Sequence, residues 1–310
     1  MTMPRIAVIG TGGTISSVSP DSLDTLDYPE FGTKLSAAEV LARVPEAGRV
    51  ARAVPIPFRA VGSTAIGPAD WIELRDLIQH TAATDPELAG FVVLHGTATL
   101  EETAFFLDLT LAVPQAVVLV GAQRPISALG TDAGANIVAA LRVAGSPDAR
   151  GLGVLVVMND EVHAARDVVK TSTYRLQTFR SMDFGALGHV DGDGVRILRR
   201  SVRSPAPGAA FAGTALAELL RVDVVLSYAG ADGVFVQAAL DAGARGIVAA
   251  GFAPGMGTPD ENRALLRAAA SGVAVVQCSR AASGRVGHRR HLREAGLIPG
   301  EDFSPQKARS

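Results

Sequence analysis

Short apolar runs alternate with amphipathic stretches along most of the chain. Four of these runs cover residues 6–10, 91–94, 116–121 and 153–158. Each is followed by a glycine-rich or polar loop and then by a helical pattern of apolar positions, which is typical of a βα unit. Because successive βα units place parallel strands side by side with helices on both faces, the pattern predicts an α/β fold with a mostly parallel sheet.

The alternation stops at a polar, proline- and glycine-rich stretch, residues 199–208, and then starts again. Such a break is typical of a domain boundary. We therefore predict a larger N-terminal domain at 1–200, a linker at 201–212 and a smaller C-terminal α/β domain at 213–310. The strands predicted for the smaller domain are 222–227, 246–251 and 273–278, and its predicted helices are 234–242 and 258–270.

Three local signals refine the prediction for the larger domain. Ser36 and Glu39 have the spacing of a capping box, which predicts the start of a helix that reaches residue 44. Pro68 stands where the first turn of a second helix is expected. The repeated Asp-Gly at 191–194 lies between two short β-type runs and predicts a hairpin.

Composition and charge limit the class of partner. The chain has 310 residues, of which 48% are hydrophobic and 19% charged, so it can bury one large core or two ordinary ones. Its formal charge is -2 and its aromatic content is 5%. Nucleic-acid-binding proteins typically have a basic surface with aromatic side chains for stacking, which this composition does not indicate. A small molecule is therefore the expected partner.

No membrane segment is expected from the apolar runs. The first run, at residues 6–10, is too short for a signal peptide, and the longest candidate span, 104–122, is interrupted by Asp108 and Pro114. We therefore expect a cytoplasmic protein.

Metal and disulfide chemistry are not indicated. Cys278 is the only cysteine, so no internal disulfide can form. The one close histidine pair, His288 and His291, lies among arginines that would repel a cation, and no H-E-x-x-H motif occurs. The G-x-S-x-G motif of one class of serine hydrolases is also absent. We predict neither a metal site nor a cofactor.

Three loops that follow different strands carry reactive groups, namely residues 10–15, the loop that contains Thr97 and the run 159–170. These loops should converge, because ligands of open parallel sheets bind beyond the carboxyl ends of the strands. The first, residues 10–15, would need a glycine at Ile15 to match the dinucleotide-binding motif, so a nucleotide-binding module is a weak alternative. Its glycines present the Thr14 hydroxyl beside backbone N–H groups, as a nucleophile requires. In the simpler alternative, Thr14 only caps a turn.

Lys170, in the stretch after the run 153–158, is one of only three lysines among 29 basic residues. In a chain that otherwise uses arginine, this lysine offers an amine whose pKa can be lowered, which a guanidinium cannot. A neutral lysine can act as a general base toward a hydroxyl. The common alternative is a solvated surface lysine.

Several long motifs occur in a fixed order along the chain. They are Thr11-Gly12-Gly13-Thr14-Ile15, His95-Gly96-Thr97 with Glu101-Glu102-Thr103, Val120-Gly121-Ala122-Gln123-Arg124-Pro125, Val156-Val157-Met158-Asn159-Asp160 with Ala165-Arg166-Asp167-Val168-Val169-Lys170-Thr171, and Pro305-Gln306-Lys307-Ala308-Arg309. With these motifs the chain resembles the bacterial-type L-asparaginases and glutaminases from residue 6 to residue 309. The resemblance implies a two-domain α/β amidohydrolase.

The resemblance also implies roles for individual residues. Thr14 is the expected nucleophile, with Tyr28 as its partner after a one-residue offset, and Thr97 and Lys170 are the expected second hydroxyl and its base. Substrate-binding positions are also implied, with Ser63 holding the substrate carboxylate; they are Ser63, Thr64, Gly96, Ala98 and Ala122.

The reaction implied is attack on a side-chain carboxamide, by default that of L-asparagine, to form an acyl-enzyme and ammonia, followed by hydrolysis. Family members are usually homo-oligomers, and a homodimer or homotetramer is expected. In them the smaller domain of one subunit completes the site of another.

The chain departs from the family pattern where the substrate α-ammonium is held. Ala98 replaces an aspartate, Thr64 replaces a common glutamine, and the loops at 251–256 and 288–294 lack the expected side chains, although Glu294 could substitute for one of them. The departures favour a substrate without that ammonium, namely a related amide, ester or lactam. A non-catalytic small-molecule-binding homologue is the other alternative.

Overall fold

The computed structural model describes residues 3–202, 211–212 and 218–310. These residues form two compact units, and the boundary between the units falls between residues 217 and 218. Most of the linker predicted at 201–212 lies outside the described residues, so that boundary stays a prediction.

The larger unit contains β-strands and α-helices that alternate in part of the chain and end in a run of consecutive strands. Its strands are β1 (Arg5–Gly10), β2 (Ser17–Val18), β3 (Thr33–Lys34), β4 (Arg52–Ile56), β5 (Gly90–Leu94), β6 (Ala116–Val120), β7 (Val154–Met158), β8 (Glu161–Ala164), β9 (Val169–Lys170), β10 (Phe179–Arg180), β11 (Gly188–Asp191) and β12 (Gly194–Ile197). Its α-helices are α1 (Tyr28–Phe31), α2 (Ala37–Ala42), α3 (Pro68–Thr84), α4 (Leu100–Thr110) and α5 (Ala133–Gly145).

Within the described residues, the main sheet of this unit has eight strands in the order β12-β11-β8-β7-β6-β5-β1-β4. Neighbouring strands from β7 to β4 are parallel, and those from β7 to β12 are antiparallel. The predicted α/β class with a mostly parallel sheet is confirmed.

Helices cover both faces of the sheet. Side chains alternate between the two faces along a strand, and every residue of β5, β6 and β7 is buried. On one face α2 and α5 form a core with the strands. On the other, α4 packs against β6 and β7, and α3 joins it through Trp71 and Phe106, whose ring centroids are 5.5 Å apart.

The strand order of the sheet has a switch point between β1 and β5, two neighbouring strands from which the chain continues to opposite sides of the sheet. Strands β1 and β5 are neighbours, but the next strand of this sheet after β1 is β4 on one side, whereas after β5 it is β6 on the other. Ligands of open α/β sheets bind in the crevice beyond the carboxyl ends of the strands at such a point. Thr14 follows β1 and Thr97 follows β5, so both threonines lie there.

The local signals in the sequence correspond to observed elements. Ser36 and Glu39 form both hydrogen bonds of a capping box at the start of α2, and Pro68 occupies the first turn of α3. The predicted hairpin is formed by β11 and β12. These features depend on neighbouring residues alone, which is why local sequence predicts them.

One prediction for the larger unit is wrong. The run 153–158 was expected to lead into a loop and a helix, but β7 is followed directly by the antiparallel strand β8. Asn159 and Asp160 form the turn with positive φ angles of 51° and 63°, a conformation that asparagine and aspartate tolerate and that suits two-residue hairpins. Lys170 therefore lies on β9, beyond this hairpin, and not in a loop that follows β7.

The smaller unit is a second parallel-sheet α/β unit. Its strands are β13 (Val222–Leu226), β14 (Gly246–Gly251), β15 (Ala274–Ser279) and β16 (Ile298–Pro299), and its helices are α6 (Val234–Asp241), α7 (Pro259–Ala270), α8 (Arg290–Glu294) and α9 (Pro305–Arg309). The strands are parallel and lie in this order. The strands and helices predicted here are confirmed to within two residues.

Asn136 on α5 ties together three segments near the carboxyl edge of the main sheet. This buried side chain donates from Nδ2 to the Gly121 carbonyl and the Asp132 carboxylate, both at 3.0 Å. Its Oδ1 accepts the Asn159 backbone N–H at 3.0 Å. Since buried polar groups are costly to leave without partners, this side chain should contribute strongly to stability.

We predict that Asn136→Ala lowers the free energy of unfolding by about 2–4 kcal/mol, because it removes three hydrogen bonds of a buried side chain, of about 1 kcal/mol each, and leaves backbone groups without this partner. Urea denaturation measures the change. Asn262→Ala, at an exposed position of α7, should change the value by no more than about 0.5 kcal/mol. Equal effects of the two substitutions would contradict the prediction.

Candidate active site

Thr14 and Tyr28 form the first of two hydroxyl pairs. Thr14 begins a short 3-10 turn immediately after the glycine loop that follows β1. Gly12 and Gly13 have φ angles of 108° and 78°, which glycine adopts readily and other residues rarely do. Thr14 Oγ1 lies 2.7 Å from the phenolic oxygen of Tyr28, the first residue of α1.

Thr97 and Lys170 form the second pair. Lys170 Nζ donates to Thr97 Oγ1 at 2.7 Å, which joins the loop after β5 to strand β9. Thr97 is 5% exposed. Its methyl group packs against Gly121, where an added Cβ would lie 2.8 Å from Thr97 Cγ2. The threonine hydroxyl is therefore held in place by packing as well as by the amine.

The two loops that carry these threonines touch through glycines. A Cβ added to Gly13 would lie 2.1 Å from Gly96 Cα, and one added to Gly96 would lie 2.5 Å from Ser63 Cβ. Separations this short do not occur between real side chains, so the contact requires glycine at both positions. It brings Thr14, Thr97 and Ser63 into one locality, each within one residue of the contact.

Ser63 is part of the 3-10 turn Ser63–Ala65 and is bonded to the loop after β5. Its Oγ accepts the Ala98 backbone N–H at 3.3 Å, and its carbonyl accepts the Thr99 hydroxyl at 2.8 Å. The Ala98 methyl group and Thr64 are exposed. Gly96 is buried, and Ala122 is fully buried with its side chain in the hydrophobic core.

Burial changes the acid–base behaviour of both pairs. Loss of solvation raises the pKa of the Tyr28 phenol, and its hydrogen bond to Thr14 offsets part of that rise. Loss of solvation lowers the pKa of the Lys170 amine, and the nearby Glu101 carboxylate opposes part of the lowering. The phenol is thus favoured in its neutral form, and the neutral amine becomes easier to reach.

Two buried polar residues near the site were not given roles from the sequence. His95 Nδ1 lies 2.8 Å from the Gly96 carbonyl and its Nε2 lies 3.0 Å from Thr103 Oγ1, and burial lowers its pKa to about 4. Glu101, in the first turn of α4, accepts the backbone N–H of Lys170. Both belong to the quoted motifs, but their burial and partners follow from tertiary packing.

The other groups considered from the sequence are a metal site, Cys278 and Glu294. Across residues 3–202, 211–212 and 218–310, no group of three or more His, Cys, Asp or Glu side chains is arranged to hold a metal ion. Cys278 is buried in the smaller unit, and burial raises the pKa of its thiol to about 12. Glu294 is exposed on α8, and its contribution to a site of another subunit stays a prediction.

None of the helices among the described residues combines the length and hydrophobicity that a membrane span needs.

Family models match both parts of the chain. Residues 5–203 match the model of the asparaginase N-terminal domain, and residues 221–310 match that of the glutaminase/asparaginase C-terminal domain. Together these matches cover almost the whole sequence.

Individual relatives agree with this. L-asparaginase 2 of Bacillus subtilis is 35% identical over 307 residues, which cover 99% of this chain and 81% of the relative. L-asparaginase 2 of Escherichia coli is 34% identical over 312 residues, covering 100% of this chain and 88% of the relative. The solved structure of a probable cytoplasmic L-asparaginase from Campylobacter jejuni superimposes with a TM-score of 0.93 at 32% identity, covering 99% and 93% of the two chains. The chain belongs to the asparaginase/glutaminase family of amidohydrolases.

Proposed function

We propose that this chain hydrolyses a side-chain carboxamide through an acyl-enzyme on Thr14, with L-asparagine as the default substrate. The observation that carries the proposal is the pairing of two hydroxyls with two partners at adjoining loops. Thr14 is 2.7 Å from Tyr28, and Thr97 is 2.7 Å from Lys170. A nucleophile within hydrogen-bond reach of a proton carrier is the arrangement that covalent catalysis requires.

In the first half of the proposed reaction, Thr14 Oγ1 attacks the carboxamide carbon. Its proton passes to the Tyr28 oxygen while Tyr28 passes its own proton to the carboxamide nitrogen. The carbon–nitrogen bond then breaks, and the protonated nitrogen leaves as ammonia. The raised pKa of Tyr28 supports this role, because a phenol that stays protonated can pass a proton on without being consumed.

In the second half, a water molecule attacks the acyl carbon, and the bond from that carbon to Thr14 Oγ1 breaks. The proton taken from the water is passed on to Thr14 Oγ1, and the carboxylic acid leaves. We assign the Thr97–Lys170 pair to the removal of a proton from this water. Lys170 in its neutral form draws the proton of the Thr97 hydroxyl, whose oxygen then accepts one from the water. The lowered pKa of Lys170 supports this role.

The substrate carboxylate is assigned to Ser63 and the Ala98 backbone. The Ser63 hydroxyl lies beside Gly96, next to both threonines, where it can donate to an anionic group. Thr64, Gly96 and Ala122 are assigned to the walls of the same pocket. We also propose that the chain assembles into a homodimer or homotetramer, as the family resemblance implies.

Ala98 favours a second candidate substrate. Its exposed methyl group stands beside Thr97 and Ser63, so position 98 offers no carboxylate to pair with a substrate ammonium. Breaking a buried ion pair by removing one partner costs about 3–5 kcal/mol. A carboxamide, ester or lactam without an α-ammonium avoids this loss and uses the same threonines.

We predict that Thr14→Val lowers kcat for the best carboxamide by roughly 10⁴-fold or more, because it removes the nucleophile. Ammonia release measures the rate. The control is Thr11→Val in the same loop, since the Thr11 hydroxyl is spent on the Leu94 carbonyl at 3.1 Å. Thr11→Val should keep most of the activity, and a Thr14→Val enzyme of near-natural activity would exclude Thr14 as nucleophile.

We predict that kcat/KM rises with pH through the ionisation of Lys170, because the neutral amine is the active base. Since burial lowers this pKa, the rise should lie below the range of an ordinary lysine. Lys170→Arg should abolish the rise, because a guanidinium stays protonated. Lys34→Arg should leave the profile unchanged. A profile that is the same in the natural chain and in Lys170→Arg would contradict the assignment.

For the second candidate substrate, the expected result is that the natural chain prefers the des-amino counterpart of asparagine, and that Ala98→Asp raises kcat/KM for asparagine by about tenfold or more, equivalent to about 1.4 kcal/mol. Assays of ammonia release compare the two substrates with both proteins. Ala98→Asn is the control, because it has a similar shape without the charge. Efficient turnover of asparagine by the natural chain, with no gain from Ala98→Asp, would overturn this account of specificity.

A further inference from the structure

Glu101 is a buried carboxylate that holds the strand carrying Lys170. It is 4% exposed and lies in the first turn of α4, 69 positions before its partner along the chain. The carboxylate accepts a hydrogen bond from the backbone N–H of Lys170. The same side chain therefore connects α4, which follows the Thr97 loop, to strand β9.

We propose that Glu101 is a positioning residue for the Thr97–Lys170 pair, fixing the Lys170 backbone and supplying a negative charge that the Lys170 amine experiences. This inference rests on the proposed function, in which Lys170 is the base. Position 98 carries no carboxylate in this chain, and the inference assigns the electrostatic role beside Lys170 to Glu101.

The backbone hydrogen bond explains how the amine is aimed. Lysine has a long, flexible side chain that loses conformational entropy when it is held in one place. By fixing the Lys170 backbone, Glu101 fixes the point from which the side chain reaches Thr97 Oγ1 at 2.7 Å. Charge-assisted hydrogen bonds to a carboxylate are stronger than neutral ones, so this anchor suits a catalytic lysine.

The charge of Glu101 counteracts the effect of burial on the amine. Burial lowers the pKa of Lys170, and Glu101 raises it. A base is most effective when its pKa lies near the working pH, because it must both take up and release a proton. Glu101 therefore prevents burial from making the amine too weak a base. The first turn of α4 is also a position where the helix dipole favours a negative charge.

The segments next to Lys170 carry three other charged side chains, those of Arg180, Arg166 and Asp167. Arg180 on β10 is exposed and stands opposite Val169, and Arg166 and Asp167 form an ion pair of 3.3 Å shortly before β9. On α4 the neighbouring acid is Glu102, which follows Glu101 directly. Glu102 therefore provides a matched control for removing one negative charge from the same turn of helix.

The test is a direct titration of the lysine amines by NMR, with lysine labelled at the side-chain carbon and nitrogen. The chain contains only Lys34, Lys170 and Lys307, so three signals are expected, and Lys170→Arg identifies one of them. Glu101→Gln keeps an oxygen that can accept the backbone hydrogen bond but removes the charge. We expect the Lys170 midpoint to move to lower pH in Glu101→Gln, while those of Lys34 and Lys307 stay unchanged.

Two further variants decide what causes the shift. Glu102→Gln should leave the Lys170 midpoint unchanged, whereas Glu101→Asp, which retains the charge, should have a higher midpoint than Glu101→Gln. The proposal is overturned if Glu101→Gln leaves the midpoint unchanged, if Glu102→Gln shifts it equally, or if the Gln and Asp variants at 101 have the same midpoint. A backbone amide NMR spectrum with the dispersion of the natural chain shows that each variant is folded.

The titration separates this inference from the proposed function, because it needs no turnover. If no amide is hydrolysed, the proposed reaction fails, and the Lys170 midpoint still decides the role of Glu101. Where an amide is hydrolysed, the rising limb of kcat/KM against pH should move to lower pH in Glu101→Gln and remain in place in Glu102→Gln. A rate loss in Glu101→Gln without a moved limb would contradict the electrostatic role.

Discussion

The contact between Gly13 and Gly96 is the constraint on which the whole site depends. The loops after β1 and β5 approach so closely that a Cβ on Gly13 would lie 2.1 Å from Gly96 Cα. Only because both positions lack side chains can Thr14 and Thr97 belong to the same locality. The parallel sheet places the two loops at one edge, and the absence of side chains at Gly13 and Gly96 lets their backbones touch.

Around this contact, burial and charge act on the amine in opposite directions. Packing that excludes water favours neutral Lys170, whereas Glu101 favours the protonated amine. Ala98 takes no part in this balance through its side chain, although its backbone holds Ser63. The proposed chemistry and the proposed specificity can therefore change separately: Thr97, Lys170 and Glu101 serve the first, and position 98 the second.

Much of the fold and half of the site could be predicted from sequence patterns. Apolar runs indicate buried parallel strands, and the rule that loops meet beyond their carboxyl ends brings Thr14 and Thr97 together before any coordinates are known. The same rule places the run that ends at Lys170 near these threonines, but the strand that carries Lys170 could not be predicted, because the turn at Asn159 and Asp160 reverses the chain after β7. Periodicity had indicated a helix there.

Tyr28, the partner of Thr14, could not be predicted from the apolar and polar pattern either. Tyr28 lies 14 positions further along the chain, on a four-residue helix with no apolar periodicity, and only the family resemblance pointed to it. Glu101 was visible in a motif, but acids in the first turn of a helix are common. Its burial and its bond to Lys170 depend on packing between distant segments.

The central claim is that Thr14 forms a covalent acyl intermediate. The most direct test is to quench the reaction with acid during turnover of a carboxamide and to map the peptides by mass spectrometry. If Thr14 is the nucleophile, the peptide that contains Thr14 gains the mass of the substrate less that of ammonia. An unmodified Thr14 peptide during active turnover, or an acyl group on a different residue, would contradict it.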